Sequence, residues 1–213
     1  KNTIKVGYHC LTEEKCSAII IRKYQNTLRN SVFSEMKRAL SRLGLIEGVD
    51  YTSSVSPMKI SLYNGNNIYF AGLDNYEKLK GFIDESRPIK VVLFSEVTEF
   101  TDEDEIQQVT ATFSRGNDDW FINLYEYNPP KNKYEWINEW CERMSKRPDV
   151  VVTHSDYRTV PPEWLGKRFI EEAEQLKIYD EKRYRHIYLG EVVGLDGLIF
   201  NYDLIKIVDT KHI

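Results

Sequence analysis

Two polar residues, Ser95 and Glu96, come directly after the apolar run VVLF at residues 91–94. A run without polar alternation is typical of a strand that is buried on both faces inside a parallel sheet. A carboxylate at the end of such a strand is well placed to hold Mg²⁺, or to orient a hydrolytic water beside a nucleotide phosphate. The alternative is that Glu96 only begins a loop or supports the helix that follows.

Polar side chains also follow other predicted strands, and ligands of open α/β sheets bind beyond the carboxyl ends of the strands. Arg22 follows a β-branched run and is a candidate for stabilising phosphate charge, with a surface salt bridge as the alternative. Asn128 lies in YNPP, where its amide is a candidate sensor of a phosphate-bound water, although Asn-Pro is also a strong turn signal. His154 lies near the end of the run DVVVTHS at residues 149–155.

A basic cluster, KRYRH, occupies residues 182–186. Its Lys182, Arg183 and Arg185 are candidates for contacts with DNA phosphates, which require only positive charges in a groove. Acidic residues are interleaved with basic ones in this part of the chain. That arrangement favours the alternative, a solvated helix face.

The candidate residues require a sheet flanked by helices, and the hydrophobic periodicity predicts one. Strand-like and helix-like segments alternate with short links, which indicates an α/β fold with a parallel sheet covered on both faces. Strands are predicted at 17–23, 89–94, 120–127 and 149–155, with short β segments between about 50 and 72. Helices are predicted at 28–45, 74–82, 102–114, 133–144, 161–176 and 181–190. Thr101 is the predicted N-cap of the helix at 102–114.

The composition indicates a globular protein and limits its partners. The 213 residues are enough for one large domain or two small ones, and one domain is the default expectation. A formal net charge of −4 argues against a uniformly basic nucleic-acid-binding surface. The three cysteines form no CxxC pair, so a disulfide framework or zinc site is not indicated. No apolar run reaches the roughly 20 residues that cross a bilayer, so we expect a cytoplasmic protein without a membrane partner.

Six segments, which follow one another along nearly the whole chain, resemble the large terminase subunit of tailed double-stranded-DNA phages. They are IIIRKYQNTLRNSVFSEMKRAL (19–40), SPMKI (56–60), FAGLDNYEKLKG (70–81), VLFSEVTEF (92–100), EYNPPKNKYEW (126–136) and RYRHIYLGEVVGLDGLIF (183–200). The resemblance implies a P-loop NTPase-like fold of the additional-strand type, with a small β insertion around residues 50–72. It also implies an ATPase motor domain over residues 1–195, followed at 196–213 by a linker or the start of a nuclease domain.

The same resemblance implies an activity and partners. A large terminase subunit hydrolyses ATP with Mg²⁺ to drive double-stranded DNA into a procapsid, and in full length it is coupled to an endonuclease that cuts concatemers. The expected partners are double-stranded DNA, the small terminase subunit and the portal protein, with the subunit in a homo-oligomeric ring in the cytoplasm of the bacterial host. The alternative is a catalytically silent DNA-binding or assembly module of the packaging machine.

By this resemblance, LFSEVTEF at residues 93–100 occupies the Walker B position, where the family has two acids after the strand. Glu96 matches the second acid, which positions the attacking water, and Ser95 stands where the first acid would act on Mg²⁺. A hydroxyl carries no charge, so Mg²⁺ binding should be weaker unless another acid, such as Glu99, substitutes. Ala71 and Glu126 also depart from the family pattern, which has a basic residue at the first position and Ser or Thr at the second.

The phosphate-binding pattern GxxxxGK[ST] occurs nowhere in the 213 residues. The family places that loop just before the helix predicted at residues 1–14, and we therefore expect it upstream. A nuclease site within the chain is disfavoured, because no carboxylates cluster on successive predicted strand ends beyond Asp203 and Asp209.

Overall fold

The computed structural model describes residues 1–75, 79, 86–117 and 119–194. The chain divides into two compact units, unit 1 (Lys1–Asn128) and unit 2 (Pro129–Ile213). Most of the predicted helix at 74–82 lies outside the described residues, as do Asp203, Asp209 and the whole segment 196–213. The assignment of residues 1–195 to one ATPase domain therefore stays a prediction.

Unit 1 is built on a six-stranded sheet. Its strands are β1 (Ser17–Arg22), β2 (Tyr51–Val55), β3 (Met58–Leu62), β4 (Asn67–Gly72), β5 (Ile89–Ser95) and β6 (Ile122–Glu126). Their order across the sheet is β2-β3-β4-β1-β5-β6. Strands β4, β1, β5 and β6 are parallel, while β2 and β3 add antiparallel pairings. The predicted β insertion is thus an antiparallel extension of the main sheet, and its last strand joins the parallel part.

Three α-helices in the described part of unit 1 accompany this sheet. They are α1 (Asn2–Thr12), α2 (Ser34–Arg42) and α3 (Glu103–Ser114), and a π-helical turn at Arg29–Phe33 leads into α2. The N-cap of α3 is Asp102, whose carboxylate accepts hydrogen bonds from the backbone N–H groups of Asp104 and Glu105. The predicted N-cap, Thr101, was therefore wrong by one residue. Across the described part of the chain, no helix has the length and apolar character needed to cross a membrane.

The central strands β1 and β5 are buried because they are apolar along almost their whole length. Alternate residues of both strands pack in one cluster with side chains of α1 and α2: Val6, Cys10, Ala18, Ile20, Met36, Leu40, Val91 and Leu93. The intervening residues, Ile19, Ile21, Val92 and Phe94, are also fully buried. Burying one such side chain stabilises the fold by about 1.5–3 kcal/mol. The sheet is therefore covered on both faces at its centre, as predicted.

Unit 2 is helical in its described part. It contains α4 (Trp136–Met144), α5 (Pro162–Leu165), α6 (Lys167–Tyr179) and α7 (Glu181–Ile187). Gly166, with φ of 82°, separates α5 from α6, so the single helix predicted at 161–176 is broken. The predicted strand at 149–155 is wrong, because that segment has no strand geometry and Val151 and Val152 are 86% and 54% exposed. A β-branched run forms a strand only where a neighbouring strand can pair with it.

Candidate functional site

The carboxyl ends of the four parallel strands bring four residues into one row. Arg22 pairs with Gly72 across β1 and β4, and Ser95 pairs with Glu126 across β5 and β6. The pairing of β1 with β5 brings the two halves of the row side by side. Because strand residues alternate between faces, this row lies on the face that packs against α1 and α2. We call these four residues, Gly72, Arg22, Ser95 and Glu126, the edge row.

The N-terminal end of α1 lies beside the edge row. Asn2 Nδ2 donates a hydrogen bond of 3.1 Å to the backbone carbonyl of Tyr125, which directly precedes Glu126. The first N–H groups of a helix have no intrahelical partner, and together with the helix dipole they favour negative charge. The edge row therefore places the Glu126 carboxylate beside the start of α1.

Ser95 and Glu126 are the last residues of β5 and β6. Ser95 is 3% exposed, whereas Glu126 is half-buried. Burial raises the pKa of Glu126, the Ser95 hydroxyl opposes this by hydrogen bonding to the carboxylate, and the charges of Glu35 and Glu96 raise the pKa further. The net pKa is above the ordinary value for Glu, so an ionised Glu126 is unfavourable without a compensating positive charge.

Glu96 lies immediately beyond the interior strand β5, as predicted. Its backbone is left-handed, with φ of 54° and ψ of 57°, and within the described residues it is the one non-glycine with positive φ. Such a conformation costs roughly 1–3 kcal/mol and is found preferentially at functional sites. The Glu96 carbonyl accepts a hydrogen bond of 2.9 Å from the Glu99 N–H, which closes the turn after the strand. The backbone thus leaves the sheet at Glu96, whose side chain is half-exposed.

Arg22 is held by an acid from the turn after β5. Its Nη2 lies 2.5 Å from Glu99 Oε1, and the two side chains are 11% and 30% exposed. Arg22 Nε and Glu99 Oε2 are buried without a hydrogen-bond partner in the described part of the structure. Glu99, which the sequence suggested as a substitute for a metal-binding acid, is therefore engaged with Arg22.

The end of β4 packs tightly against the segment that follows β1. The Gly72 N–H donates a hydrogen bond of 2.7 Å to Gln25 Oε1, and the Gln25 N–H donates one of 3.1 Å to Asp74 Oδ1. A Cβ on Gly72 would lie 2.3 Å from the Gln25 nitrogen, so only glycine fits this position. Sequence reasoning missed this contact, because a glycine at a strand end does not reveal which segment approaches it.

The remaining predicted site residues are not members of the edge row. Asn128 is exposed, two residues beyond the end of β6. Lys182, Arg183 and Arg185 are on α7 in unit 2. Arg185 forms an ion pair of 2.6 Å with Glu191, and this hydrogen-bonded contact raises the pKa of Arg185.

The donor atoms at the edge suit a magnesium–nucleotide complex. Within the described ranges, no three His, Cys, Asp or Glu side chains converge on a site that would hold a metal ion by themselves. Mg²⁺ bound with a nucleotide takes one or two protein carboxylates, and phosphates and water supply the other ligands. The hydroxyl of Ser95 and the carboxylates of Glu96 and Glu126 are hard oxygen donors of this kind.

A family model described as phage terminase large subunit matches residues 5–191, which is most of the chain. The chain belongs to the phage terminase large subunit family. It is 34% identical over 180 residues to the large terminase subunit of Bacillus phage SPP1, covering 83% of this chain and 42% of that protein. It is 27% identical over 199 residues to the PBSX phage terminase large subunit of Bacillus subtilis (strain 168), covering 88% of this chain and 45% of that protein. This terminase chain thus spans less than half the length of these relatives.

Solved terminase structures share the fold. A large terminase from a thermophilic bacteriophage, solved in complex with ADP, matches with a TM-score of 0.60 and 19% identity, over 90% of this chain and 44% of that one. The ATPase domain of the Thermus phage P74-26 large terminase matches with a TM-score of 0.61 and 13% identity, over 90% of this chain and 82% of that one. The predicted P-loop NTPase-like α/β fold is confirmed.

Proposed function

We propose that this chain is the ATPase motor portion of a phage terminase large subunit, which hydrolyses ATP with Mg²⁺ to drive double-stranded DNA into a procapsid. The observation that carries the proposal is the edge row, which meets the start of α1 at the carboxyl ends of the parallel strands. Ligands of open α/β sheets bind at this edge. A terminase of the same fold has been solved in complex with ADP, which supports a nucleotide as the ligand.

The proposed roles follow from the positions of the side chains. The phosphates of ATP lie beside the start of α1, since the N-terminus of a helix favours anions. Glu96 orients the attacking water, because the left-handed turn directs the chain out of the sheet just beyond β5. Arg22 stabilises the charge that develops on the phosphate once it leaves Glu99. Ser95 contacts the metal and Asn128 senses the nucleotide. Mg²⁺ itself would neutralise phosphate charge.

The whole protein has a wider proposed role. We infer that it works with double-stranded DNA, the small terminase subunit and the portal protein, as a homo-oligomeric ring in the cytoplasm of the bacterial host. An endonuclease domain following this chain cuts concatemers in the full-length protein. Lys182, Arg183 and Arg185 contact DNA phosphates, for which exposed positive charges are sufficient.

The motor proposal is tested by DNA-stimulated ATP hydrolysis in the full-length protein. Glu96→Gln preserves the size of the side chain but removes the carboxylate that orients water. We expect the turnover number to fall about 100-fold or more, which is typical of losing a general base, while ADP affinity stays within about threefold. The matched control is Glu163→Gln, on the exposed surface of α5, which should hydrolyse ATP at the wild-type rate. Wild-type turnover by Glu96→Gln would rule out the assigned role.

A catalytically silent DNA-binding or assembly module is the second candidate. Ser95 favours it, because a hydroxyl at the end of β5 supplies no negative charge for Mg²⁺. The two functions differ in nucleotide turnover. A full-length protein that binds DNA but shows no DNA-stimulated ATP hydrolysis, with Glu96→Gln indistinguishable from wild type, would establish the silent module and end the motor proposal.

A further inference from the structure

The end of β6 supplies a carboxylate directly beside the serine that ends β5. Ser95 and Glu126 are register partners in adjacent parallel strands, and each is the last residue of its strand. Partners in register project from the same face of a sheet and lie about 4.8 Å apart in the backbone. The hydroxyl and the carboxylate therefore stand next to each other, and the Ser95 hydroxyl forms a hydrogen bond with the Glu126 carboxylate.

We infer that Glu126 and Ser95 together form the magnesium-binding position of this terminase, with Glu126 supplying the negative charge that Ser95 lacks. Compared with the family pattern, the carboxylate stands on β6 instead of β5, in register with Ser95. The inference rests on the proposed nucleotide function, and it deepens that function by naming the residue that holds the metal.

The position of Glu126 suits this role better than those of the other acids at the edge. Glu99 is committed to the ion pair with Arg22. Glu96 follows the left-handed turn and is already assigned to the attacking water. Glu126 shares the face of α1, whose first turn is fixed to the preceding residue by the hydrogen bond from Asn2 to the Tyr125 carbonyl. Glu126 would thus hold a cation at the side of the sheet where the start of α1 and the Ser95 hydroxyl are found.

The charge environment supports the same assignment. Glu126 is half-buried, and the carboxylates of Glu35 and Glu96 are nearby. A divalent cation would offset this group of negative charges, because its charge is the largest in such a site.

The experiment measures how much Mg²⁺ strengthens nucleotide binding, since this readout does not depend on turnover. ADP affinity of the full-length protein is measured by calorimetry in Mg²⁺ and in EDTA, and Mn²⁺ bound with ADP is followed by electron paramagnetic resonance. We expect Mg²⁺ to strengthen ADP binding by the wild-type protein about tenfold or more. Glu126→Gln should lose most of this gain, since even ligand-supporting residues of metal sites contribute on the order of 10–100-fold. Its affinity in EDTA should be unchanged.

Two further variants make the test specific. The exchange Ser95→Asp with Glu126→Ser returns the carboxylate to β5 and should restore the effect of Mg²⁺ on ADP binding. Glu13→Gln removes an exposed charge at the C-terminal end of α1, opposite the end that carries Asn2, and it should keep the Mg²⁺ effect within about threefold of wild type. Thermal unfolding checks that each variant is folded, and the exchange variant provides the decisive measurement if Glu126→Gln does not fold.

The possible results distinguish a wrong assignment of the magnesium ligand from a wrong proposed function. If Glu126→Gln keeps the full Mg²⁺ effect and the Mn²⁺ signal, or if the exchange variant fails to restore them, Glu126 does not hold the metal although the nucleotide site stands. If Mg²⁺ does not change the ADP affinity of the wild-type protein, the inference is wrong but the proposed function is not. Absence of ADP binding by the wild type under both conditions overturns the proposed function together with it.

Discussion

The Arg22 guanidinium and the Glu99 carboxylate form an ion pair of 2.5 Å that ties the end of β1 to the turn after β5. Both side chains are largely withdrawn from water, being 11% and 30% exposed. Solvent screens charges only weakly at such a site. Removing either member would therefore leave the other charge buried and unpaired. An arginine committed in this way is available to a phosphate only if Glu99 releases it.

Removing only one member of this ion pair should lower the free energy of unfolding more than removing both members. Arg22→Met leaves Glu99 largely buried without a cation, and we expect unfolding free energy to fall by about 2–3 kcal/mol. The double variant Arg22→Met with Glu99→Gln should recover at least half of that loss, because no unpaired charge remains. Urea unfolding of the four proteins of this double-mutant cycle measures the coupling.

The control for this cycle is the exposed pair Lys146–Glu142, whose side chains are 69% and 75% exposed. Its coupling energy should stay below about 0.5 kcal/mol, since water screens both charges. A coupling energy of that size for Arg22 and Glu99 as well would mean that the buried contact contributes no more than a surface pair.

The ion pair of Lys23 with Glu105 should make stability depend on pH. Burial alone would raise the pKa of Glu105, but hydrogen bonds from Lys23 and from Thr101 outweigh burial and lower it. A lowered native pKa means that the stabilisation is complete above the ordinary Glu pKa and is lost as pH falls through the native value. Glu105→Gln should therefore cost about 1–2 kcal/mol at pH 7, and this cost should shrink as pH falls below the ordinary Glu pKa and through the native one.

Unfolding by urea at several pH values checks this dependence. The exposed Glu139→Gln on α4 is the control, and its difference from wild type should remain within about 0.5 kcal/mol at every pH, as for most surface substitutions. A pH-independent loss in Glu105→Gln would assign the effect to packing rather than to the charge.

In nucleotide-free protein, Glu126 should make stability fall as pH rises, which is the opposite of the effect of Glu105. Its raised pKa means that the folded state holds the proton more tightly, so ionisation of Glu126 destabilises the fold as pH rises above the ordinary Glu value. We expect Glu126→Gln to be more stable than wild type at pH 7 and equal to it below about pH 4. Equal stability of the two proteins across this range would show that Glu126 is ionised without cost.

The sequence predicted the centre of the fold well, because β1 and β5 contain the apolar runs AIII and VVLF, which are typical of interior strands. It failed at DVVVTHS, residues 149–155, where the same β-branched composition lies exposed at Val151 and Val152. Composition measures how well a segment fits a buried pleated surface, but whether a partner strand is present depends on the rest of the chain.

The sequence predicted which residues lie at the ends of individual strands, but not which of these residues are neighbours in the candidate site. Ser95 and Glu96 could be placed at the end of β5 from local pattern, and Glu126 was visible only as a departure from the family. Their relation depends on the register between β5 and β6, which joins residues 31 positions apart. Register is set by the packing of whole strands, so a single sequence does not reveal which side chains become neighbours.

Gly72 should be intolerant of any side chain, because the backbone after β1 occupies the space beside its Cα. A Cβ there would lie 2.3 Å from the Gln25 nitrogen and 2.4 Å from Asp74 Oδ1. We expect Gly72→Ala to lower the unfolding free energy by about 2–3 kcal/mol, as overpacking does. Gly116→Ala is the matched control, since Gly116 has φ of 82° but open surroundings, and it should cost only about 1–2 kcal/mol of backbone strain. Urea unfolding compares the two, and a smaller loss at Gly72 than at Gly116 would mean that the segment around Gln25 moves aside freely.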